Sequence, residues 1–151
     1  MIIRAMTEAD YEQVYTLWLG TPGMGLNTLD DSFEGIKKYL ARNPSTCFVA
    51  DAENEAGATA IVGAILSGHD GRRGYIHHTA VAGNEQRRGI GAALLNAAMG
   101  ALKREGITKV ALLVFSENEK GNAFWEKQGF TARPDLIYRN KSIVELTRID
   151  T

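Results

Sequence analysis

The sequence predicts a single α/β domain, spanning residues 1–151, in which helices flank a mixed β-sheet. Helical and β-rich patterns follow one another along the chain in the order β-α-α-β-β-β-α-β-α-β-β. Residues 109–115, KVALLVF, are almost entirely apolar, which is typical of a strand that is buried on both faces of a sheet. A chain of this length can bury about two-thirds of the surface that it exposes when unfolded.

Two helices are predicted in the first third of the chain, and a glycine-rich loop separates them. Thr7 and Asp10 have the spacing of a capping pair in front of the first helix. Asp31 and Glu34 repeat that spacing in front of the second helix. The stretch between the helices, residues 20–27, contains too many glycines for regular structure and predicts a loop.

The rest of the chain supplies most of the predicted sheet. Two β-rich runs separated by a turn predict a hairpin, and a later apolar repeat at helical spacing predicts a long helix. These strands and helices cover residues 45–53, 57–68, 75–81, 89–104, 109–115 and 118–129, and a final hairpin is expected over 136–149.

Composition and charge exclude several classes of function. The net charge of −1 and the isoelectric point near 6.3 argue against a binder of nucleic acid or of an anionic membrane, because such proteins need a basic face. No run approaches 18 consecutive apolar residues, and the N-terminus lacks the apolar core of a signal peptide. The single cysteine, Cys47, has no partner for an internal disulfide and stands in an apolar run that indicates a buried core position. We therefore expect a cytoplasmic protein in which Cys47 has no catalytic role.

Residues 86–91, QRRGIG, are the clearest functional signal in the chain. They do not fit the nucleoside-triphosphate pattern G-x-x-x-x-G-K-[ST], and Leu94 stands where a dinucleotide fingerprint needs its third glycine. A third interpretation is a turn of backbone N–H groups that leads into a helix N-terminus, where a pyrophosphate can bind. A plain helix start with surface arginines is the alternative.

The stretch QRRGIG resembles the acetyl-coenzyme A-binding motif [QR]-x-x-G-x-[GA] of the GCN5-related N-acetyltransferase (GNAT) family. Residues 118–130, NEKGNAFWEKQGF, are similar to a later motif of that family, an asparagine followed by a helix and GF. The element order also matches, so the resemblance covers essentially the whole chain. It implies a GNAT fold with a mixed central sheet of about six or seven strands, flanking helices, and a splay between the family's strands 4 and 5, here residues 75–81 and 109–115.

The resemblance implies that acetyl-CoA is the acyl donor and that no metal takes part. In the family, the pantetheine arm lies between the splayed strands and hydrogen-bonds to the backbone of one of them. By position, contacts with this arm fall on Thr79, Ala80, Val81 and Asn118, and Trp125 packs near the sulfur end. The implied pyrophosphate contacts are Arg87, Arg88, Gly89, Ile90, Gly91 and Ala92.

The position of the general acid departs from the family pattern. The family usually places a tyrosine near the coenzyme sulfur, and the matching residue here is Trp125. An indole N–H donates a hydrogen bond but does not release a proton at neutral pH. Trp125 is therefore either a wall of the sulfur pocket or a plain core aromatic. Tyr138 and Tyr75 are the substitute acids, unless the thiolate leaves without one.

The sequence also leaves the identity of the general base open. The glutamates that serve as bases in two subfamilies are replaced here by Leu113 and Tyr75. His77 matches a strand histidine of the arylalkylamine-type members, and an ordinary histidine pKa near 6.5 suits proton removal. Because side chains alternate along a strand, we expect His77 in the cleft and His78 on the opposite face, where it acts through stability. Glu117 is a further candidate.

The acceptor is not identified by the sequence. Asp30, Asp31 and Glu34 could attract a cationic amine, although Asp31 and Glu34 serve equally well as helix caps. Arg72 and Arg73 are either solvated turn residues or readers of an anionic substrate. The predicted activity is transfer of an acetyl group from acetyl-CoA to a primary amine of a small molecule or peptide, by direct attack in a ternary complex. A non-catalytic acyl-CoA sensor and a structural homodimerisation module are the alternatives.

Overall fold

The computed structural model, which describes residues 1–53 and 56–149, shows a mixed sheet with helices on both of its faces. In chain order the elements are β1 (Ile2–Ala5), α1 (Tyr11–Leu19), β2 (Leu26–Asn27), α2 (Phe33–Arg42), β3 (Phe48–Glu53), β4 (Thr59–His69), β5 (Gly74–Val81), α3 (Ile90–Arg104), β6 (Val110–Leu112), α4 (Glu119–Lys127) and β7 (Arg148–Ile149). Short 3₁₀ turns lie at Glu8–Asp10 and Gly83–Glu85. No helix in these ranges is both long and apolar enough to cross a bilayer.

The central sheet has the strand order β1-β3-β4-β5-β6. Its first four strands are antiparallel neighbours, whereas β5 and β6 are parallel and are connected through α3. The predicted α/β fold with a mixed sheet is confirmed. The strand count differs, since five strands form this sheet and β2 pairs with β7 in a separate two-stranded sheet.

The predicted C-terminal hairpin over 136–149 is wrong. Only its last two residues form a strand, in which Ile149 lies opposite Leu26 and Arg148 opposite Asn27. Every residue from 131 to 147 is exposed, so no buried face fixes the register of a hairpin there. The end of the segment pairs with β2 instead of with a second strand of its own.

The two predicted capping pairs have different outcomes. The backbone N–H of Thr7 donates to Asp10 at 2.8 Å, as the spacing predicts. In front of α2, however, Ser32 is the cap and accepts a hydrogen bond from the N–H of Gly35 at 3.1 Å. The predicted capping role of Asp31 is wrong because Ser32 stands one residue closer to the first turn and fills the position.

Two apolar cores pack the helices on opposite faces of the sheet. One lies under α1 and α2 and contains Val14, Trp18, Ile36, Leu40 and Ala80 among its buried residues. The other lies under α3 and α4 and contains Ile65, Ile76, Leu94, Leu95 and Trp125. A groove opens between these two layers, at the β5–β6 end of the sheet.

Candidate functional site

A large groove opens where β5 and β6 diverge. The two strands pair over three residues only, and the last pair is Ile76 with Leu112. Beyond it, β5 continues to Val81 against β4 alone, and residues 113–116 line the other wall of a cavity of about 1570 Å³. This volume exceeds the range of roughly 300–1,000 Å³ that is usual for one drug-sized ligand. The predicted splay is thus present, and it opens a cavity larger than one drug-sized ligand requires.

The α3 end of the groove has unpaired backbone donors. The first helical hydrogen bond of α3 runs from the N–H of Ala93 to the carbonyl of Gly89 at 3.0 Å. The N–H groups of Ile90, Gly91 and Ala92 therefore have no acceptor within the helix. Gly89 itself has φ +81° and supplies no side-chain cap, and Arg87 also has a positive φ of 64°. Such a turn concentrates N–H groups at the positive end of the helix dipole, where an anion can bind.

The two glycines of this turn have different tasks. Gly89 is required for its backbone conformation, because its positive φ lies in the left-handed region. Space is not the reason, since a methyl group on Gly89 would meet nothing within 4 Å. A methyl group on Gly91 would lie 3.3 Å from the Phe124 ring, so Gly91 allows α3 and α4 to approach each other closely. Of the arginines, Arg87 lines the groove, whereas Arg88 is paired with Glu85 and is not among the lining residues.

The open edge of β5 carries the other predicted cofactor contacts. Thr79, Ala80 and Val81 lie opposite β4 residues on one side and line the groove on the other. Asn118 lines the groove from the start of α4, where its side-chain oxygen accepts a hydrogen bond from the Gly121 N–H at 2.9 Å. The structure therefore brings all three β5 positions and Asn118 into one cavity with the α3 turn.

Trp125 is both a core residue and part of the groove wall. Only 9% of it is exposed, and its ring packs edge-on against Phe124 at 4.9 Å and Phe130 at 5.3 Å. Cys47 lies away from the groove, is 1% exposed, and donates a hydrogen bond to the carbonyl of Ser67. Burial raises the pKa of the Cys47 thiol to about 12, so that it stays protonated and is not a nucleophile.

A β-bulge changes the direction of the two histidines. Ile65 of β4 lies opposite Thr79 and Ser67 lies opposite Ile76, so three steps along β5 match two along β4. The extra residue falls at His77–His78, and both rings turn toward the α1–α2 face of the sheet. The His77 ring lies 5.4 Å from that of Tyr39 on α2, and the His78 ring 4.9 Å from that of Trp18 on α1. The prediction that the two histidines point to opposite faces is therefore wrong, because strand alternation fails at a bulge.

His78 is held by Asp31. Its Nε2 lies 2.7 Å from one Asp31 oxygen, and the backbone N–H of Asn27 donates to the other at 2.7 Å. The hydroxyl of Tyr11 donates to the backbone carbonyl of Asp31 at 2.8 Å. The side chains of His78 and Asp31 are only 12% and 5% exposed. Asp31 thus ties the loop between α1 and α2 to β5, and its carboxylate does not face the groove.

His77 lies in the groove among aromatic rings. Tyr75 packs 4.6 Å from it, in addition to Tyr39 on its other side, although the residue as a whole remains open to the cavity. Desolvation by these neighbours lowers the pKa of His77, the nearby His78 lowers it further, and Asp31 acts in the opposite direction. The imidazole is therefore mainly neutral at pH 7 and able to accept a proton.

The remaining catalytic candidates separate into two groups. Tyr138 and Tyr75 both line the groove, and desolvation together with the proximity of Tyr138 raises the pKa of Tyr75, so its hydroxyl stays protonated. Glu117 is exposed and is not among the lining residues, so the structure does not bring it to the site. Among the described residues, no three His, Cys, Asp or Glu side chains cluster as metal ligands.

The predicted glycine-rich loop between α1 and α2 forms a wall of the groove. Residues 21–25 line the cavity, and Gly23 and Gly25 have φ values of +81° and +70°. A methyl group on Gly25 would lie 3.1 Å from the Phe115 ring, and one on Gly23 would lie 3.3 Å from the Asn118 amide. The glycine-rich composition predicted a loop, but its close approach to Phe115 and Asn118, which lie 90 and 95 positions further along the chain, leaves no local signal.

Comparison with known proteins assigns this geometry to a family. The model of the acetyltransferase (GNAT) family matches residues 11–130. Acetyltransferase SG1711 of Sodalis glossinidius (strain morsitans) is 28% identical over 145 residues, which are 96% of this chain and 97% of that protein.

Two solved structures share the fold. The structure of Ard1 from Thermoplasma volcanium has a TM-score of 0.69 at 24% identity, over 86% of this chain and 82% of that one. The aminoglycoside antibiotic 6'-N-acetyltransferase AAC(6')-IG from Acinetobacter haemolyticus has a TM-score of 0.68 at 17% identity, over 95% of this chain and 100% of that one.

We predict that Asp31→Ala lowers the free energy of unfolding by about 3 kcal/mol, because it leaves the buried His78 ring and the Asn27 N–H without an acceptor. The neighbouring Asp30→Ala is the control, since Asp30 is exposed and accepts only from the Asn27 side chain. Its effect should stay within about 0.5 kcal/mol. Urea unfolding measures both, and equal small losses would contradict the anchoring role of Asp31.

Proposed function

The chain belongs to the acetyltransferase (GNAT) family and is an acetyl-CoA-dependent acetyltransferase, and we propose that, as one domain, it acetylates a primary amine by direct attack in a ternary complex. The observation that carries the proposal is the groove between the diverging strands, which runs from the free N–H groups of α3 to the two histidines of β5. Its volume suits a cofactor arm and an acceptor together.

The residues of the groove fit acetyl-CoA. The pyrophosphate binds the N–H groups of Ile90, Gly91 and Ala92, with the positive charge of Arg87 beside them. The pantetheine amides take the place of the missing strand beside β5 and pair with the backbone of residues 79–81. With the pyrophosphate at the α3 turn, the pantetheine arm runs along β5 from Val81 toward Thr79 and brings the acetyl end toward the bulge at His77.

His77 removes the proton that the attacking amine must lose. Its neutral imidazole faces the groove, and its lowered pKa keeps the proton-accepting form available at neutral pH. The amine nitrogen then forms a bond to the acetyl carbon, and the tetrahedral intermediate expels the coenzyme as a thiolate. The products are the acetylated amine and CoA, whose sulfur takes up a proton.

Tyr138 is the proposed proton donor to the departing sulfur, and Tyr75 is the alternative. Both hydroxyls belong to the groove, and Trp125 has no proton to give at neutral pH. We propose no role for Glu117. Alignment of the two substrates in one cavity supplies much of the rate, since correct positioning alone can lower a barrier by several kcal/mol.

We predict that Gly89→Asp lowers the affinity for acetyl-CoA by at least about a hundredfold. The substitution strains a backbone with positive φ and places a carboxylate beside the pyrophosphate site. Gly106→Asp is the matched control, because Gly106 has a similar φ of +78° at the other end of α3 and lies outside the groove. Isothermal titration calorimetry with both variants separates strain from loss of the anion site. Equal affinities would contradict the proposed pyrophosphate contacts.

We predict that kcat/KM for the acceptor rises with pH through an inflection below about 6.5, because desolvation lowers the pKa of the base His77. His77→Ala should lower the plateau roughly a hundredfold and remove this inflection, with little change in acetyl-CoA affinity. His69→Ala is the control, since His69 lies outside the groove. Initial rates between pH 5 and 9 test this.

Two results of that experiment would count against the proposal. An inflection that persists in His77→Ala would assign the proton to another group. Acetyl-CoA binding without acetylation of any amine in a broad panel would favour the non-catalytic sensor instead.

A further inference from the structure

The groove has two mouths with different chemistry. One, here called the coenzyme mouth, is formed by residues 85–87, residues 89–92 and α4, on the α3–α4 face of the sheet. The other, here called the acceptor mouth, is lined by Met24, Tyr75, His77, Phe115, Tyr138 and Asn140. It lies on the α1–α2 face, as the contact between His77 and Tyr39 shows. On the proposed function, the acetyl acceptor enters here, because the coenzyme fills the first mouth.

The charged side chains that line the groove lie at the coenzyme mouth, and beside the acceptor mouth the guanidinium of Arg148 lies over the Phe115 ring, 5.4 Å from its centroid. The charged lining side chains at the coenzyme mouth are Glu85, Arg87, Lys120 and Lys127. Within the described ranges, no carboxylate lines the acceptor mouth.

Asp31 and Asp30 both act electrostatically on His77, but each is already engaged. Asp31 is bonded to His78 and to the Asn27 backbone, and Asp30 is bonded to the Asn27 amide. A second or third ammonium group on an acceptor would find no counter-ion in this mouth.

Aromatic surface takes the place of charge. Tyr39, His77 and Tyr75 form a row of rings with centroids 5.4 and 4.6 Å apart, and Tyr138 lies beside Tyr75. Phe115 and Met24 continue the apolar wall on the other side. Such a wall stabilises a flat or branched apolar group, and ring faces attract one ammonium ion.

We propose that the acceptor is a monoamine whose single amino group stands next to an aromatic or bulky apolar group. This inference rests on the proposed function and narrows its substrate class. An apolar surrounding also lowers the pKa of the incoming ammonium group, which favours the neutral nucleophile. A free arylalkylamine and the amino end of a peptide with an apolar first residue present the same chemistry.

Initial rates of CoA thiol release over a matched panel test the proposal. The panel contains 2-phenylethylamine, 1,4-diaminobutane, kanamycin, and tripeptides that begin with Phe or with Asp. We expect kcat/KM for 2-phenylethylamine or for the Phe tripeptide to exceed that for the diamine and kanamycin at least tenfold. Whichever of the two is faster identifies the source of the amine. Faster turnover of the polycations overturns the inference but leaves acetyl transfer intact, whereas no turnover of any amine overturns the proposed function itself.

A pair of variants tests the role of charge directly. Met24→Glu and Met24→Gln have nearly the same shape and differ in one negative charge at the acceptor mouth. We expect the ratio of kcat/KM for 1,4-diaminobutane to that for 2-phenylethylamine to be about tenfold higher in Met24→Glu, mainly through a lower KM for the diamine. Equal ratios in the two variants would show that this mouth does not select by charge.

Discussion

The early divergence of β6 from β5 is the constraint on which the rest of the site depends. A parallel pair that ends at Ile76 and Leu112 leaves the backbone of β5 beyond it without a strand partner on one side. Buried backbone groups need hydrogen-bond partners, so an extended ligand with amide groups is the natural occupant of this gap. The N-terminus of α3 opens at the end of the same gap, which adds a site for negative charge. One interruption of the sheet thus produces both halves of the proposed coenzyme site.

The bulge in β5 adds the proposed acceptor side to this arrangement. A regular strand would place only one of two neighbouring histidines on the α1–α2 face, whereas the bulge places both there. The two histidine rings therefore point to the same face of the sheet but have different surroundings. His78 is buried against Trp18 and bonded to Asp31, while His77 faces the cavity with a lowered pKa. One histidine therefore fixes the loop that walls the groove, and the other faces the cavity as the proposed base.

The features that the sequence predicted well are those determined by short segments. The turn of Gly89 depends on one left-handed residue before a helix, and the buried position of Cys47 depends on its apolar neighbours. The order of the elements from α2 to α4 follows from periodicity in the same way. However, β2 lies inside the predicted loop over 20–27, and β6 covers only Val110–Leu112 of the strand predicted over 109–115. The family resemblance added the splay, which periodicity alone does not supply, while the coenzyme contacts that it implies remain a proposal.

The features that the sequence did not predict depend on partners far along the chain. Asp31 and His78 are 47 residues apart, and no spacing rule distinguishes a cap from a buried anchor. The bulge is set by the register between β4 and β5, so the two adjacent histidines carry no local sign of it. The prediction of a C-terminal hairpin is wrong for a related reason. The end of that segment pairs with Leu26 and Asn27, which lie more than 100 positions earlier in the chain.

Residue-resolved amide hydrogen exchange, measured by NMR with and without CoA, tests the central claim most directly. The claim is that main-chain N–H groups of α3 and β5 hold the coenzyme in the gap between the strands. We expect CoA to slow exchange of the Ile90, Gly91 and Ala92 amides and of groove-facing amides in residues 77–81, while β1 at the far edge of the sheet is unchanged. Binding of CoA that leaves the exchange of residues 90–92 unaltered would contradict the account.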